Sequence, residues 1–291
     1  MGESLIDKEL RREVIATFGD PAYRPPPLPS VAIQLVGISQ KDDVELREIV
    51  RLLEQDQVLA GIVMRLVSSP LYSARTPVTS LEQAVVRIGL KKLCSIVFEG
   101  ALRGPMFVLP GYRELAEQVS RHGTTAAYIT RLVCEACGLD AENGFLCGLL
   151  HDVGFSALLL SVTRGDAGSP PLSAVWRNVD DLHEQASGIV ARLWGLPPQI
   201  AAVVGHHHHP ERCTDESAAK LAAAACVADA LTEHFGASIA DAHIAAGEDA
   251  GADRTSAATL DSARGLLGLD DTKLGQVLVR AEEIVTAILW V

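Results

Sequence analysis

A histidine followed directly by an aspartate lies inside the most apolar stretch of the sequence, and this pair strongly constrains the fold. The segment reads GLLHDVG, with His151 and Asp152 in a run from Phe145 to Val162 that is otherwise almost entirely apolar or small. Burying an ionised carboxylate beside an imidazole is unfavourable unless both groups find partners. Two arrangements could supply those partners: a local hydrogen-bond network that fixes the fold, or a metal ion.

The composition favours helices over sheets. Hydrophobic residues make up 48% of the 291 residues, enough for a sizeable core, while aromatic residues make up only 4%. Ala and Leu are abundant, and clusters of β-branched residues are short. We therefore expect an all-α protein, in which an N-terminal helical bundle packs on a second helical domain.

Apolar residues recur at helical spacing in both halves of the chain. The prolines of Arg24–Ser30 predict an extended entry segment with Ser30 as a helix N-cap, and Ser80 and Gln83 have the spacing of a capping box. The helical patterns cover Val31–Ile38, Val44–Leu53, Val58–Val67, Arg113–Cys137, Glu142–Ser161, Asp181–Trp194, Pro198–His206, Ser217–Phe235 and Thr272–Trp290.

Prolines and glycines between Gly104 and Tyr112 predict a boundary between two helical regions. A stretch rich in Ala, Gly and Asp, Ala237–Ala258, predicts a loop or loose connector. The expected divisions are an N-terminal extension (1–23), a first helical subdomain (24–104), a second helical domain (112–236), and a connector with a C-terminal helix (237–291).

The charge balance excludes nonspecific binding to nucleic acids and to anionic membranes. The 37 acidic residues outnumber the 25 basic ones and give a formal net charge of −12, so the surface as a whole repels phosphate groups. A local basic pocket stays possible. The basic side chains of the first subdomain could contact a phosphate, although a solvated helix face explains them more simply; they are Arg87, Lys91, Lys92 and Arg103.

The sequence predicts a cytoplasmic protein with reduced thiols. The N-terminal residues lack the apolar core and cleavage site of a secretory signal, and His151 and Asp152 make the long apolar run too polar for a comfortable membrane span. The six cysteines are widely spaced. Cys134 and Cys137 form a CxxC without a second such pair, so we expect them to be structural thiols.

Histidines and aspartates recur along the second half of the chain, each on or at the end of a different predicted helix. A helical bundle could turn such side chains toward one centre, which is how helical metal sites are built. Imidazole and carboxylate together suit Fe, Mn, Zn or Ni. Structural roles compete: His122 could be an ordinary core or surface histidine, His151 and Asp152 could form a helix-end network, and the run His206–His209 could stabilise a helix C-terminus.

Several motifs together resemble the HDOD (HD-related output domain) family, within the HD and HD-GYP superfamily. They are the ordered set H…HD…H…HH…D, PPPLPSVAIQLV, LEQDQVLAGIVMRLVSSPLYS, VTSLEQAVVRIGLKKL, GFLCGLLHDVG, ARLWGLPPQIAAVVGHHHHPE and the later ADAL. The resemblance implies an all-helical bacterial signalling module, and covers about Arg24–Phe235. It also implies a divalent-metal site at His122, His151, Asp152, His183, His207, His208 and Asp229.

This chain departs from the pattern of catalytic relatives at several positions. Phe155 follows HDVG, where HD-GYP phosphodiesterases carry a lysine that would hold the scissile phosphate. The GYP motif is absent after the histidine pair, and Gln118 stands where binuclear relatives can place a carboxylate ligand. Ser68-Ser69-Pro70 replaces the usual Asn-Ser-Ala of the first subdomain. These departures argue against efficient phosphodiester cleavage but not against metal binding.

Three functions remain open. The leading hypothesis is a stand-alone, non-catalytic signalling or scaffold protein that binds a signalling partner or ligand, with or without a metal, because no receiver, kinase or GGDEF-like segment is attached. The alternative is a metal-dependent phosphohydrolase of nucleotides or cyclic dinucleotides, in which His151 and Asp152 would be catalytic and metal-bound hydroxide would attack. A third hypothesis is a sensor that binds a nucleotide without hydrolysing it.

Overall fold

A computed structural model of the chain describes residues 5–41, 43–67, 78–102, 109–163, 169–237, 239 and 255–289. Within these ranges the protein is helical and contains no β-strand, which confirms the predicted all-α class. The helices are α1 (Leu5–Gly19), α2 (Ser30–Ser39), α3 (Leu46–Glu54), α4 (Gln57–Val67), α5 (Leu81–Ile88), α6 (Leu90–Leu102), α7 (Arg113–Cys137), α8 (Ala141–Leu150), α9 (Val153–Val162), α10 (Leu172–Leu193), α11 (Pro198–Val204), α12 (Glu216–Thr232), α13 (Ala257–Leu267) and α14 (Asp271–Leu289).

The chain forms two compact units. The smaller unit comprises Pro27–Met106 together with Trp194–Pro197. The larger unit comprises Met1–Pro26, Phe107–Leu193 and Pro198–Val291. Helix α1 therefore belongs to the same unit as the second half of the chain, although the sequence pattern sets residues 1–23 apart as an extension.

The smaller unit is a bundle of α2 to α6 around buried side chains such as Leu35, Leu53 and Phe98. The capping box at the start of α5 is confirmed in part: the Ser80 hydroxyl accepts from the Gln83 N–H at 3.2 Å, and the Gln83 side chain accepts from the N–H of Thr79 rather than Ser80. The predicted N-cap of α2 is wrong. Ser30 is the first helical residue, and Pro29, which has no side-chain donor or acceptor, stands at the N-cap position.

In the larger unit α7, the longest helix, packs against α8, α12 and α14, while α9 packs against α10. Helix α1 lies on α10 and α9, where Val14 joins an apolar cluster and Arg11 donates to Asp181 at 2.9 Å. Ser68-Ser69-Pro70 and Arg103 of the smaller unit lie outside the described residues.

The apolar run that predicts one helix over Glu142–Ser161 is two helices in the structure. Helix α8 ends at Leu150 and α9 begins at Val153, so the break falls on His151 and Asp152. The segment Ala141–Val162 is long and apolar enough to cross a membrane, with a mean hydropathy of 1.8, but 83% of its most apolar window is buried within the protein. It packs as core helices do.

The C-terminal region contains two helices where the sequence pattern predicts one. Helix α13 precedes α14, and its N-cap Ser256 accepts from the Thr259 N–H at 3.1 Å. Helix α13 packs on α12, and α14 packs on α7, where Arg280 pairs with Glu135. Most of the predicted connector, together with Trp290, lies outside the described residues.

Candidate metal centre

The break between α8 and α9 turns the side chains of His151 and Asp152 into the interior. His151 is the C-cap residue of α8, and Asp152 is the N-cap residue of α9 but makes no side-chain capping bond, so its carboxylate is available to other partners. Gly154 lets α9 approach α10 closely, because a Cβ atom there would lie 2.1 Å from the His183 carbonyl oxygen. The Gly154 N–H donates to the Ser187 hydroxyl at 2.9 Å and fixes this approach.

A first group of side chains comes from α7, the α8–α9 break and α12: His122, His151, Asp152 and Asp229. His122 Nε2 lies 3.0 Å from His151 Nε2, 3.3 Å from Asp152 Oδ2 and 3.1 Å from Asp229 Oδ1. All four side chains are buried. Their candidate ligand atoms lie within 4.8 Å of one another, which is close enough to surround a single metal ion.

A second group comes from α10 and the turn after α11: His183, His207 and His208. His183 Nε2 lies 3.0 Å from His208 Nε2. His207 Nε2 is buried and makes no hydrogen bond to any described residue. It lies 3.4 Å from Asp152 Oδ1. A buried imidazole nitrogen that makes no hydrogen bond and faces a carboxylate is suited to bind a metal ion.

Asp152 connects the two groups. Its Oδ2 atom faces the first group, at 3.3 Å from His122 Nε2 and 3.5 Å from His151 Nε2. Its Oδ1 atom faces the second group, at 3.4 Å from both His183 Nε2 and His207 Nε2. One carboxylate therefore lies between two clusters of imidazoles, an arrangement suited to bridging two cations.

In four of the histidines, hydrogen bonds to the ring nitrogen that faces away from the centre determine which nitrogen carries the proton. The Nδ1 atoms of His122, His151, His183 and His207 face main-chain carbonyl oxygens, those of Ala237, Gly148, Asp180 and Val204. A carbonyl only accepts, so Nδ1 carries the proton and the lone pair of a neutral ring is on Nε2, toward the centre. Main-chain support of this kind orients metal-binding histidines.

The paired Nε2 atoms require a positive charge between or beside them. Two neutral rings that face each other through lone pairs at 3.0 Å, as His122 and His151 do, repel unless a proton or a metal ion intervenes. Two neighbouring nitrogen ligands at a metal–nitrogen distance of about 2.1 Å lie roughly 3.0 Å apart in octahedral geometry and about 3.4 Å in tetrahedral geometry. The observed spacing fits a divalent metal.

Without a metal, protons stabilise the same cluster. Burial alone would raise the pKa of Asp152 and of Asp229, but the neighbouring imidazoles hold the pKa of both carboxyls well below the usual range. Burial alone would lower the pKa of His122, but its bonds to these two carboxylates raise it to about 9. The pKa of His207 is raised despite burial, chiefly by Asp152. A metal ion bound by these residues would therefore compete with protons.

All seven side chains that the sequence singles out thus converge, and the other histidines of the 206–209 run do not. The His206 ring bonds the Ala202 carbonyl, and the His209 ring bonds Glu184. The CxxC thiols join neither group, and all six cysteines are free. Arg87 lies on α5, and Lys91 and Lys92 lie on α6, all in the smaller unit.

Sequence reasoning missed three residues that support the centre. Glu184 bonds the main chain of the histidine turn, Thr255 Oγ1 lies 3.2 Å from His208 Nδ1, and the Ala237 carbonyl bonds His122. Ala237 acts through its main chain, which no sequence pattern reveals. Thr255 acts through one contact and Glu184 through three, and of these residues only Glu184 has a sequence signal, as an acidic residue directly after His183.

The chain resembles known proteins in sequence and in fold. Residues 26–210 match the HDOD domain family. The fold resembles the crystal structure of an HDOD domain protein of unknown function from Geobacter sulfurreducens, at 24% identity and a TM-score of 0.66, over 96% of each chain. It also resembles a provisionally assigned metal-dependent phosphohydrolase from Shewanella amazonensis SB2B, at 20% identity and a TM-score of 0.65, over 91% of this chain and 99% of that one.

An uncharacterised protein of Treponema pallidum (strain Nichols) is 26% identical over 213 residues, which are 68% of this chain and 40% of that protein. The chain spans less than half of the length of the curated relatives that it matches. All of these relatives are bacterial. With most of its length matched and its fold shared, the chain belongs to the HDOD domain family.

Proposed function

We propose that this chain is a non-catalytic signalling module whose histidine and aspartate centre binds one or two divalent metal ions, and that a protein partner recognises the metal-bound state. The observation that carries the proposal is the pair of 3.0 Å contacts between Nε2 atoms, His122 with His151 and His183 with His208. A helical bundle without a metal role has no need of two such contacts around one shared carboxylate.

Fe, Mn, Zn or Ni would suit this donor set, because imidazole and carboxylate ligands dominate it. His122, His151, Asp152 and Asp229 would hold one ion, and His183, His207 and His208 would hold a second, with Asp152 between them. The residues come from five separate places in the larger unit, so binding would tie these elements together. Such binding adds directly to folding stability and gives a ligand-dependent change that a partner could recognise.

Two features support regulation rather than turnover. Phe155 stands where catalytic relatives carry a lysine, and it is fully buried against His183 and Trp176. The donor side chains are also enclosed, with His208, the most exposed of the seven, only 9% accessible. A phosphoester would need access to the metal and a cation to hold it, whereas the donor side chains are buried and Phe155 carries no charge.

A phosphohydrolase is the alternative, and the complete donor set favours it. A metal ion at such a site lowers the pKa of bound water and supplies hydroxide near neutral pH. In this alternative Asp152 and His151 would act by holding the metal, with Asp152 placed between the two groups of the centre. Nothing specific favours the third hypothesis, a nucleotide sensor with Arg87, Lys91 and Lys92, which stays a prediction.

Elemental analysis of untagged protein, purified without added metal, tests the proposal, followed by hydrolysis assays with Mn or Fe on bis-para-nitrophenyl phosphate and cyclic dinucleotides. We expect about one or two metal ions per chain and no turnover. His207→Ala should lower the metal content, whereas His206→Ala, a neighbouring histidine outside both groups, should not. Turnover that Asp152→Asn abolishes would establish the alternative, and a metal-free protein whose folding needs Asp152 would leave only a hydrogen-bond network.

A further inference from the structure

Glu184 follows His183 on α10, but its carboxylate belongs to neither group of the centre. Its Oε1 atom accepts from the main-chain N–H of His208 at 2.8 Å and from that of His209 at 3.2 Å. Its Oε2 atom bonds His209 Nδ1 at 2.9 Å. One largely buried carboxylate, with 14% of its side chain accessible, thus bonds the same short turn three times.

That turn carries two of the three histidines of the second group. Helix α11 ends at Val204, and residues 205–209 form a turn whose N–H groups make few main-chain bonds, from Gly205 to Ala201, from His206 to Val203 and from His209 to His206. A buried main-chain N–H needs an acceptor, and those of His208 and His209 both find one outside the turn. Glu184 supplies it from α10, the helix that also carries His183.

The bonds of Glu184 therefore tie the main chain of His208 to the helix that carries His183. Helix α10 thus positions both residues of the 3.0 Å contact between Nε2 atoms. It carries His183, and its next residue, Glu184, bonds the main chain of His208. Hydrogen bonds to an ionised carboxylate are stronger than neutral ones, and three of them hold the turn in one position. The first group differs, since its residues lie on helices or at the α8–α9 break.

We propose that Glu184 is a positioning residue that preforms the second half of the centre, so that binding of a metal by His183, His207 and His208 depends on Glu184 while binding by the first group does not. The inference rests on the proposed metal-binding function. It implies two sites of unequal metal affinity. The first group, whose ligands are fixed by helices, would bind the first ion, and the second group, whose histidine turn is positioned by Glu184, would bind the second.

The test is a titration of chelator-treated, untagged full chain with Zn²⁺ by calorimetry and with Co²⁺ by visible absorption, which reports nitrogen coordination. We expect wild type to bind two ions in two steps. Glu184→Ala should keep the first step and weaken the second by about 10-fold to 100-fold, the usual effect of losing a residue that orients metal ligands. Glu184→Asp, which keeps the charge but shortens the side chain, should also weaken the second step.

Two variants separate positioning from general damage. Glu184→Gln keeps an oxygen that can accept both main-chain N–H groups and should largely restore the second step. Glu142→Ala removes another partly buried carboxylate of the same unit, the partner of Arg131 at 2.8 Å, and should leave both steps unchanged. Circular dichroism of each variant monitors the fold independently of metal binding.

The outcomes distinguish this inference from the function on which it rests. A wild-type chain that binds no metal contradicts the proposed function. A wild-type chain that binds only one ion, or two ions that Glu184→Asp binds as tightly as wild type, overturns the role of Glu184 but leaves the function standing. If Glu184→Ala does not fold, the affinity of Glu184→Asp and Glu184→Gln for the second ion tests the role of Glu184 instead.

Discussion

The ring of Phe155 stacks on the imidazole of His183, with ring centroids 4.3 Å apart and planes 21° from parallel. Phe155 also stacks on Trp176, at 5.6 Å between centroids. Phe155 is fully buried in the apolar cluster that also contains Leu159 and Val179. Phe155 thus fixes the orientation of the His183 ring, one of the candidate ligands, and covers that face of the ring.

Replacing Phe155 with lysine should not create a phosphohydrolase. An ammonium group at this position would be buried among apolar side chains, so we expect a loss of more than about 4 kcal/mol in the free energy of unfolding. Phe155→Leu, the matched apolar control, should lose about 1–2 kcal/mol. Urea unfolding measures both values. A stable Phe155→Lys protein that hydrolyses bis-para-nitrophenyl phosphate would show that access to the metal is not blocked.

Asp152 and Asp229 should differ in how many metal ions depend on them. Asp152 presents one oxygen to the Nε2 atoms of each group, whereas Asp229 lies 3.1 Å and 3.7 Å from the Nε2 atoms of His122 and His151 and meets the second group only at His208 Nδ1, 3.8 Å away. Asp152→Asn should therefore lower the affinity for both ions, and Asp229→Asn chiefly that of the first. Asp181→Asn, which removes a half-exposed partner of Arg11, should change neither. Equal effects of Asp152→Asn and Asp229→Asn on the two Zn²⁺ binding steps would contradict the bridging role.

The metal-free protein should lose stability as pH rises from about 6.5 to 9. The His122 pKa is raised to about 9 in the folded state, from 6.5 in an unfolded chain. A raised pKa gives stabilisation that is complete below pH 6.5 and disappears as pH passes 9, up to about 3 kcal/mol. Asp152 and Asp229 stay ionised in this window because their pKa values lie well below the usual range.

Thermal unfolding in the presence of a chelator, from pH 6 to 10, measures this loss. His122→Gln should flatten the dependence, because the glutamine side chain does not titrate. Protein saturated with Zn²⁺ should also show a flatter profile, since its imidazoles are already deprotonated. A metal-free wild type that becomes more stable between pH 6.5 and 9 would contradict the imidazolium–carboxylate arrangement.

Much of the centre was predictable because its residues form an ordered pattern. His151 and Asp152 stood out as polar groups in an apolar run, and the spacing of the remaining histidines indicated separate helices. The break at these two residues was not predictable, because Leu150 and Val153 continue the apolar pattern without a proline to end α8. The support from Thr255 and the Ala237 carbonyl was hidden because it depends on where distant segments meet.

Gly154→Ala should be among the most damaging small substitutions in the chain. The added Cβ would lie 2.1 Å from the His183 carbonyl oxygen and 2.7 Å from the Ser187 nitrogen, and neither main-chain atom can move without displacing α10. We expect a loss of about 3 kcal/mol or more in the free energy of unfolding. Gly275→Ala, at an open site on α14, should be neutral or stabilising by up to about 1 kcal/mol. If both variants unfolded at similar urea concentrations, α9 and α10 would be able to move apart without a large loss of stability.

His122 and the Ala237 carbonyl that orients its ring are 115 residues apart in sequence. During synthesis, the ribosome must release the entire stretch between them before this contact can form. Under the proposed function, metal capture would therefore be a late event in maturation, because a shorter nascent chain lacks Ala237 and the bond that orients His122. Bound metal would thus indicate that the chain has been fully synthesised and has folded.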